Sequence, residues 1–184
     1  MMRTHPYDKL LGRKRKWSPV KPTVGKLKDG AEDTIRRALA ARHLELPVGS
    51  FIEEALEKNV PENARKLLID NVKDEERHDL ALGYYANALG VNENEEKEGK
   101  LLRDAWINHP DHTITKALVA ERAIFFVLLP FFRFNGDAAL RTVSADISRD
   151  EQIHVGTNTL VCSELGLSAS VSYTHLTLPT SDLV

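Results

Sequence analysis

The residues best suited to chemistry in this sequence form two copies of one motif, an aspartate and a glutamate followed by a histidine three positions after the glutamate. The copies are Asp74, Glu75 and His78, and Asp150, Glu151 and His154. Residues three apart lie on the same face of a helix, so each copy presents a carboxylate and an imidazole to one point. These oxygen and nitrogen donors suit iron or manganese. Two facing copies therefore predict a site for two metal ions.

Composition alone explains one such spacing more easily than two. The chain has 15 glutamates and 7 histidines, so a single Glu-x-x-His can arise without any function. Two copies, both preceded by aspartate, are much less expected. The alternative interpretation is that Glu75 and Glu151 are solvated helix charges, as most surface carboxylates are. We favour the metal site.

Length and composition are those of a globular protein. The 184 residues are 42% hydrophobic and 28% charged, which is enough to bury a core in one domain. A single cysteine, Cys162, excludes an intrachain disulfide and a cysteine-based metal site, and we expect it to be a small buried residue. The most apolar stretch, residues 123–134, is interrupted by Pro130 and Arg133, so no membrane span is expected. We predict a cytoplasmic protein without a signal peptide.

The first 30 residues differ in composition from the rest. Between Arg3 and Lys28 there are nine lysines and arginines against one acidic residue, Asp8, and several prolines discourage regular structure. We call residues 1–30 the basic arm. A nucleic acid or an acidic partner is one interpretation. A solvated arm that packs Trp17 on the folded core is favoured, because no nucleic-acid motif accompanies the charge.

From residue 31 onward the apolar spacing is helical, and we predict an all-α bundle over residues 31–167. A helix over residues 31–46 should end at Pro47, and Ser50 with Glu53 forms a capping-box pattern for a short second helix. A long helix should follow Pro61 and stop at Gly90. The remaining expected segments are a charged linker at 92–100, a brief helix at 101–107, a turn at 108–112 whose two histidines lie on the surface, a helix at 113–132, and a last helix from the cap Asp137 to about residue 165.

Glu121 is the best candidate for a third metal-binding carboxylate. It is the only acidic residue in the apolar helix 113–132, where an unpaired carboxylate would cost several kcal/mol. Glu121 and Glu151 are each 15 residues from Gly136, the turn between their helices, so an antiparallel hairpin places them side by side. Pairing of Glu121 with Arg122 or Arg141 is the alternative.

The fourth carboxylate has more than one candidate, since several glutamates precede the first motif. Glu45 lies 30 residues before Glu75, the same separation that divides Glu121 from Glu151. This symmetry favours Glu45. Pro47 places it at a helix end, and Glu54 remains the substitute.

These residues resemble the radical-generating small subunit of ribonucleotide reductase, within the ferritin-like di-iron superfamily. The similarity is carried by Glu121 to Phe126, by the run Ser148-Arg149-Asp150-Glu151 with His154, and by Pro61-Glu62 followed by the first motif. It spans residues 31 to about 165. By this resemblance, Glu45 stands where the family has an aspartate or glutamate at the end of a helix.

The resemblance implies a ferritin-like four-helix bundle with a di-metal carboxylate site that holds two Fe ions, or Mn and Fe. It implies that Asp150, and Asp74 at the same place in the first motif, hydrogen-bond ligand histidines, and that Phe125 lines an oxygen pocket. O₂ is the implied reactant, with a large reductase subunit or a small-molecule substrate as partner. A homodimer is also expected.

The chain departs from the family in two places. The radical tyrosine of the family lies four residues after the first ligand histidine, and here that position is Leu82; Tyr84 and Tyr85 follow on other helix faces. The chain is also shorter than the family, and its end from about Ser170 resembles translated sequencing-adapter DNA. Residues 168–184 are therefore expected to be non-native, and His175 is given no function.

The expected activity is that of an O₂-activating di-metal oxidoreductase without the usual tyrosyl radical. Residues 124–127 should form an apolar wall that shields the oxidant. Three alternatives stay open: an oxygenase on the same scaffold, a ferritin-like iron-binding protein, and a metal-free bundle whose basic arm binds nucleic acid. A binuclear hydrolase is less expected, because no phosphate-binding loop is evident.

Overall fold

The computed structural model describes residues 5–167, and every regular element within them is helical. The α-helices are α1 (Pro6–Leu11), α2 (Glu32–Leu39), α3 (Glu45–Leu56), α4 (Arg65–Leu89), α5 (Glu93–Ile107), α6 (Thr113–Ala123), α7 (Leu129–Asn135) and α8 (Ala138–Glu164). Two 3₁₀ turns, Ala40–Leu44 and Glu62–Ala64, precede α3 and α4, and a π-helical segment, Ile124–Leu128, joins α6 to α7. The segment expected to be non-native, with His175, lies outside the described residues.

Four of these helices pack around a common interior. Helix α3 contacts α4 and α6, and α8 contacts the same two helices from the other side. The buried apolar residues form two clusters: one includes Leu68 and Ile153, and the other includes Leu82 and Ile147. Both motifs lie where these clusters meet along α4 and α8. The packing therefore holds the polar residues in the middle of the core.

The prediction that Pro47 ends a helix is wrong. Helix α2 stops earlier, at Leu39, and Pro47 is the third residue of α3, which continues to Leu56. Proline is tolerated in the first turn of a helix because its missing N–H would have no intrahelical acceptor there. Ser50, predicted to cap a separate helix, lies inside α3 and caps nothing. Glu45 therefore begins a helix instead of ending one.

The predicted linker at residues 92–100 is also wrong, because this segment is the first half of α5. Asn92 caps the helix by accepting hydrogen bonds from the backbone N–H groups of Asn94 and Glu95 at 2.9 and 3.4 Å. Acidic residues in the first turn suit the positive end of the helix dipole. Glu96 then accepts from both terminal nitrogens of Arg42 at 2.7 Å. This tertiary ion pair holds a helix whose local pattern is mostly polar.

Several local predictions are confirmed. Gly90 ends α4 with a φ of 91°, and Asp137 caps α8 by accepting from the backbone N–H of Leu140 at 2.8 Å. Cys162 is buried with a free thiol. The predicted helix 113–132 is helical throughout but carries the π segment in its middle. Within residues 5–167, the structure contains no helix long and apolar enough to cross a membrane.

The two histidines of the 108–112 turn lie away from the interior, as predicted. His112 is exposed, and its Nδ1 accepts from the backbone N–H of Ile114 at 3.3 Å, which caps α6. His109 is partly buried against the ring of Trp106, with 5.2 Å between ring centroids. Both therefore have local structural roles.

Candidate metal centre

Six carboxylate and imidazole side chains meet in the interior formed by α3, α4, α6 and α8. They are the six predicted ligands, Glu45, Glu75, His78, Glu121, Glu151 and His154, and none is more than 2% exposed. Ligand atoms of four of them, Glu75, His78, Glu151 and His154, lie within 4.8 Å of one another. This buried group can hold a metal ion. The interpretation of Glu75 and Glu151 as solvated surface charges is excluded by their burial.

The two motif glutamates are shared between the two histidines. Glu75 places one oxygen 3.1 Å from Nδ1 of His154 and the other 3.8 Å from Nδ1 of His78. Glu151 Oε1 lies 3.3 Å from Nδ1 of His78 and 3.7 Å from Nδ1 of His154. Each glutamate therefore reaches the histidine of its own helix and that of the facing helix. This geometry is suited to carboxylates that bridge two metal ions.

The other two glutamates each approach one histidine. Glu45 Oε2 lies 3.6 Å from Nδ1 of His78, and Glu121 Oε1 lies 3.9 Å from Nδ1 of His154. Glu54, the substitute considered for Glu45, is exposed and pairs with Lys58. The structure thus brings Glu45 into the group and leaves Glu54 outside it.

Most of the inward-facing atoms lack hydrogen-bond partners among the described residues. They are Nδ1 of His78 and His154, both oxygens of Glu45 and Glu151, and Oε2 of Glu75. A buried polar group without a partner costs roughly 1–3 kcal/mol, and native proteins contain few of them. A bound cation would satisfy these atoms together, because they are concentrated at one point. The donor set of four carboxylates and two imidazoles fits iron or manganese.

The outer nitrogens of the two histidines contact the motif aspartates in a crossed arrangement. Nε2 of His78 lies 3.3 Å from Asp150, and Nε2 of His154 lies 3.0 Å from Asp74. An Nε2–H donated to an aspartate leaves Nδ1 as the free lone pair, so the aspartates set the tautomer that a metal requires. Each motif thus orients the histidine of the other motif, and the two helices form one unit.

Three cationic or aromatic residues hold these aspartates, and sequence reasoning assigned none of them to the site; of Trp17 it predicted only that the side chain packs on the folded core. Lys14 Nζ donates to Asp74 at 2.7 Å, and Trp17 Nε1 donates to Asp150 at 2.7 Å. Arg77 Nη2 donates to both aspartates, at 2.6 and 2.9 Å. Arg77 could have been found, since it lies within the first motif. Lys14 and Trp17 could not, because only the path of the basic arm brings them here.

Two asparagines, also missed, hold Glu121. Asn71 Nδ2 donates to Glu121 Oε1 at 2.9 Å, and Asn158 Nδ2 donates to Glu121 Oε2 at 2.7 Å. Asn71 lies four residues before the glutamate of the first motif and Asn158 four residues after the histidine of the second, so helical spacing carried a signal for both. The arginines offered as alternative partners are engaged elsewhere: Arg122 donates to Thr159 and Arg141 to the carbonyl of Gly136.

Burial and crowding of charge perturb the proton affinities of the group. Burial, with the charge of Glu151 next, raises the pKa of Glu75 well above its usual value, and burial is also the main cause that raises the pKa of Glu121 to about 8. Burial by itself would lower the pKa of His78 and His154. Their neighbouring carboxylates outweigh this effect and raise the pKa of both histidines well above the usual value. The metal-free group therefore retains protons, and a metal ion must displace them.

The predicted apolar wall is only partly present. Ile124 is buried and Phe125 half-buried, but Phe126 and Val127 are 63% and 68% exposed and shield nothing. The π segment that carries them begins three residues after Glu121, and π-helical turns are frequent at functional sites. Phe126 and Val127 lie five and six residues after Glu121, so regular helical spacing also directs them away from the face that carries Glu121. The role of Phe125 in an oxygen pocket stays a prediction.

The tyrosines lie as the spacing indicated. Leu82 is fully buried in the apolar cluster that also contains Tyr85, and Tyr84 is half-buried beneath Lys21, whose Nζ is 5.6 Å from the ring centroid. The position four residues after His78 is therefore an apolar core position. The structure offers no phenol there.

Comparison with known proteins assigns no function to this site. No family model, curated protein or solved structure matches the chain. The group of carboxylates and imidazoles can bind cations and exchange protons with them. A function for this site has to use cation binding, proton exchange or both.

Proposed function

We propose that this protein is a di-metal carboxylate oxidoreductase that holds two Fe ions, or Mn and Fe, and activates O₂. The proposed fold is a ferritin-like bundle in which α3 and α6 each supply a lone glutamate while α4 and α8 each supply a Glu-x-x-His pair. The resemblance to the small subunit of ribonucleotide reductase agrees with this ligand set. Cytoplasmic location, and a large reductase subunit or a small-molecule substrate as partner, belong to the same proposal.

The observation that carries the proposal is the set of unpartnered atoms in the core. Seven inward-facing oxygen and nitrogen atoms of Glu45, Glu75, His78, Glu151 and His154 have no hydrogen-bond partner among the described residues. A bundle without metal would be more stable with apolar residues at these positions, since unpaired buried polar groups are costly. Polar residues at these positions are explained if bound cations contact the unpartnered atoms.

Each residue has a part in such a site. Glu75 and Glu151 would hold metal together with either histidine, because each approaches both, while Glu45 would act beside His78 and Glu121 beside His154. Asp74 and Asp150 accept from Nε2 of the histidines and keep Nδ1 free for the metal. Bound in the reduced state, the ion pair would supply electrons to O₂. The surrounding apolar clusters bury the six side chains.

Leu82 favours an oxygenase as the second candidate. A reductase subunit of the usual kind stores its oxidising equivalent on a tyrosine at this position, and leucine cannot do so. An oxygenase would instead use the oxidant directly on a small apolar substrate. Both candidates need the same metal site, so the metal test comes first.

The test is anaerobic loading of the whole chain with ferrous iron, followed by removal of free metal and metal analysis. We expect about two ions per chain, as in other sites of this type. Glu54→Gln, an exposed carboxylate outside the site, is the matched control and should bind as the wild type does. A wild-type chain without bound metal would refute the proposal.

Exposure of the loaded protein to O₂ then separates the candidates. We expect uptake of O₂ but no tyrosyl radical signal in electron paramagnetic resonance, because Leu82 stands at the position of the radical tyrosine. Repeated oxidation of added ferrous iron in a large shell, visible by gel filtration, would identify an iron-storage protein instead. Substrate hydroxylation would favour the oxygenase.

A further inference from the structure

A small cleft between α3 and α4 leads from the surface to the metal-binding group. Its volume is about 110 Å³, and residues of both helices line it. Leu46, Gly49 and Glu53 come from α3, and Val72, Glu75 and Glu76 come from α4. Because Glu75 is fully buried and Glu53 and Glu76 are exposed, the cleft runs from solvent to the Cβ–Cγ stem of Glu75, a proposed metal ligand.

The cleft is acidic along its length. Glu53 and Glu76 lie at its mouth, Glu75 lies at its inner end, and no lysine or arginine is among its lining residues. Oε2 of Glu75 has no hydrogen-bond partner among the described residues. Charges of one sign in a cleft with low-dielectric walls concentrate ions of the opposite sign. A cation at the mouth would therefore be drawn inward, toward Glu75 and the group of carboxylates behind it.

Gly49 sets the width of the cleft where it reaches Glu75. A Cβ atom at this position would lie 3.6 Å from Cβ of Glu75 and 3.8 Å from the carbonyl oxygen of Val72, at ordinary contact distance. Any side chain longer than a methyl group would enter the space between the helices. Glycine thus leaves the approach to Glu75 open in the middle of a buried helix.

We propose that this cleft is the route by which divalent cations reach the site, with Glu53 and Glu76 as their first binding position. The inference rests on the proposed function, since it presupposes a metal site. The volume exceeds many times the space that one water molecule needs, so a partly hydrated ion fits. A negative lining attracts cations and gives no advantage to neutral O₂, which is why the proposal is restricted to the metal.

The rate of metal uptake tests the route separately from the final occupancy. Rapid mixing of the metal-free chain with Mn²⁺ can be followed by quenching of Trp17 fluorescence, because the Trp17 ring lies 6.1 Å from the His78 ring. The Glu53→Gln/Glu76→Gln variant should load about tenfold more slowly at low ionic strength, with unchanged final occupancy. Added salt should slow the wild type more than the variant.

The matched control is Glu54→Gln/Glu57→Gln, which removes two exposed charges outside the cleft, one in α3 and one directly after it, and should load at the wild-type rate. Equal rates in the cleft variant and the wild type would overturn the route. So would equal slowing in the control, since net charge would then be responsible. A wild type that binds no Mn²⁺ or Fe²⁺ would instead overturn the proposed function itself.

Blocking the cleft without changing charge gives an independent test. Gly49→Leu should slow uptake at both low and high salt, while Gly49→Ala, whose methyl group fits, should have a smaller effect. Occupancy after long incubation should stay near the wild-type value in Gly49→Ala. Wild-type uptake by Gly49→Leu in a folded chain would refute the route.

Discussion

The two sides of the metal-binding group have the same residue types but different surroundings. We call Glu45 with His78 the α3–α4 half, and Glu121 with His154 the α6–α8 half. Both oxygens of Glu45 lack a hydrogen-bond partner among the described residues, whereas each oxygen of Glu121 accepts from an asparagine. The α6–α8 half is therefore partly satisfied without metal, and the α3–α4 half is not.

The outer partners differ as well. On the α3–α4 half, His78 contacts Asp150, which accepts from the neutral ring of Trp17. On the α6–α8 half, His154 contacts Asp74, which accepts from the cationic Lys14. A repeated motif thus fixes equal ligands, while the rest of the fold makes the two halves unequal. The two metal positions should consequently differ in affinity.

The largest loss of metal is expected from a change at Glu151, which approaches the histidines of both halves. Glu151→Ala removes an oxygen that approaches both histidines, so we expect both metal ions to be lost. His154→Ala should remove the ion of the α6–α8 half and leave one bound ion. Metal analysis after ferrous loading measures the two results. Retention of two ions by Glu151→Ala would show that the site assignment is wrong.

The stability of the metal-free chain should fall as pH rises. The pKa of Glu121 is raised from 4.5 to about 8, so between these values the folded state binds a proton that the unfolded chain has released. The raised pKa of His78 and His154 acts in the same direction above pH 6.5. Each group can cost up to about 1.4 kcal/mol per pH unit. Urea unfolding at pH 6, 7 and 8 measures the slope.

Bound metal should reverse this dependence, because the ligands are then deprotonated and the ion adds more stability at high pH. Glu121→Met removes one of the retained protons and should flatten the metal-free curve. A metal-free chain that becomes more stable from pH 6 to pH 8 would contradict the retained protons. In that case the folded chain would bind fewer protons than the unfolded chain, with the two histidines neutral and the glutamates ionised.

Apolar replacement of the lone glutamates should have opposite effects on the metal-free chain. Glu45→Met removes two unpartnered oxygens and should leave the free energy of unfolding unchanged or raised. Glu121→Met leaves the amides of Asn71 and Asn158 without their acceptor, at a cost of roughly 1–3 kcal/mol for each. Urea unfolding without metal compares them. Equal changes in both variants would remove the difference between the halves.

The smallest expected effects concern the outer partners. Lys14→Met should lower the affinity for the metal ion of the α6–α8 half by about 10-fold to 100-fold. Trp17→Phe should lower the affinity for the ion of the α3–α4 half by the same factor or less. Lys16→Met, an exposed change in the same arm, is the control. Titration with Mn²⁺ gives the two affinities separately. If Lys14→Met weakened both ions equally, the outer partners would not distinguish the halves.

Local signals predicted much of the fold and six members of the candidate site. Helical spacing placed Glu75 with His78 and Glu151 with His154, and turn positions placed Glu121 beside Glu151. The errors at Pro47 and at α5 share a cause, since in both cases a local breaker or a polar run was judged without its tertiary contacts. Asn92 and Arg42, which hold α5, act through a cap and a distant ion pair.

By itself, the sequence determined the long helices that carry the site, the two motifs and their 30-residue separation from Glu45 and Glu121, because these depend on helical periodicity and turn chemistry. Only the tertiary structure decided that Asp74 orients His154 and Asp150 orients His78, and that Lys14 and Trp17 reach these aspartates. Contacts between helices depend on how they pack, and packing is a property of the whole core. The inequality of the two halves arises from those contacts.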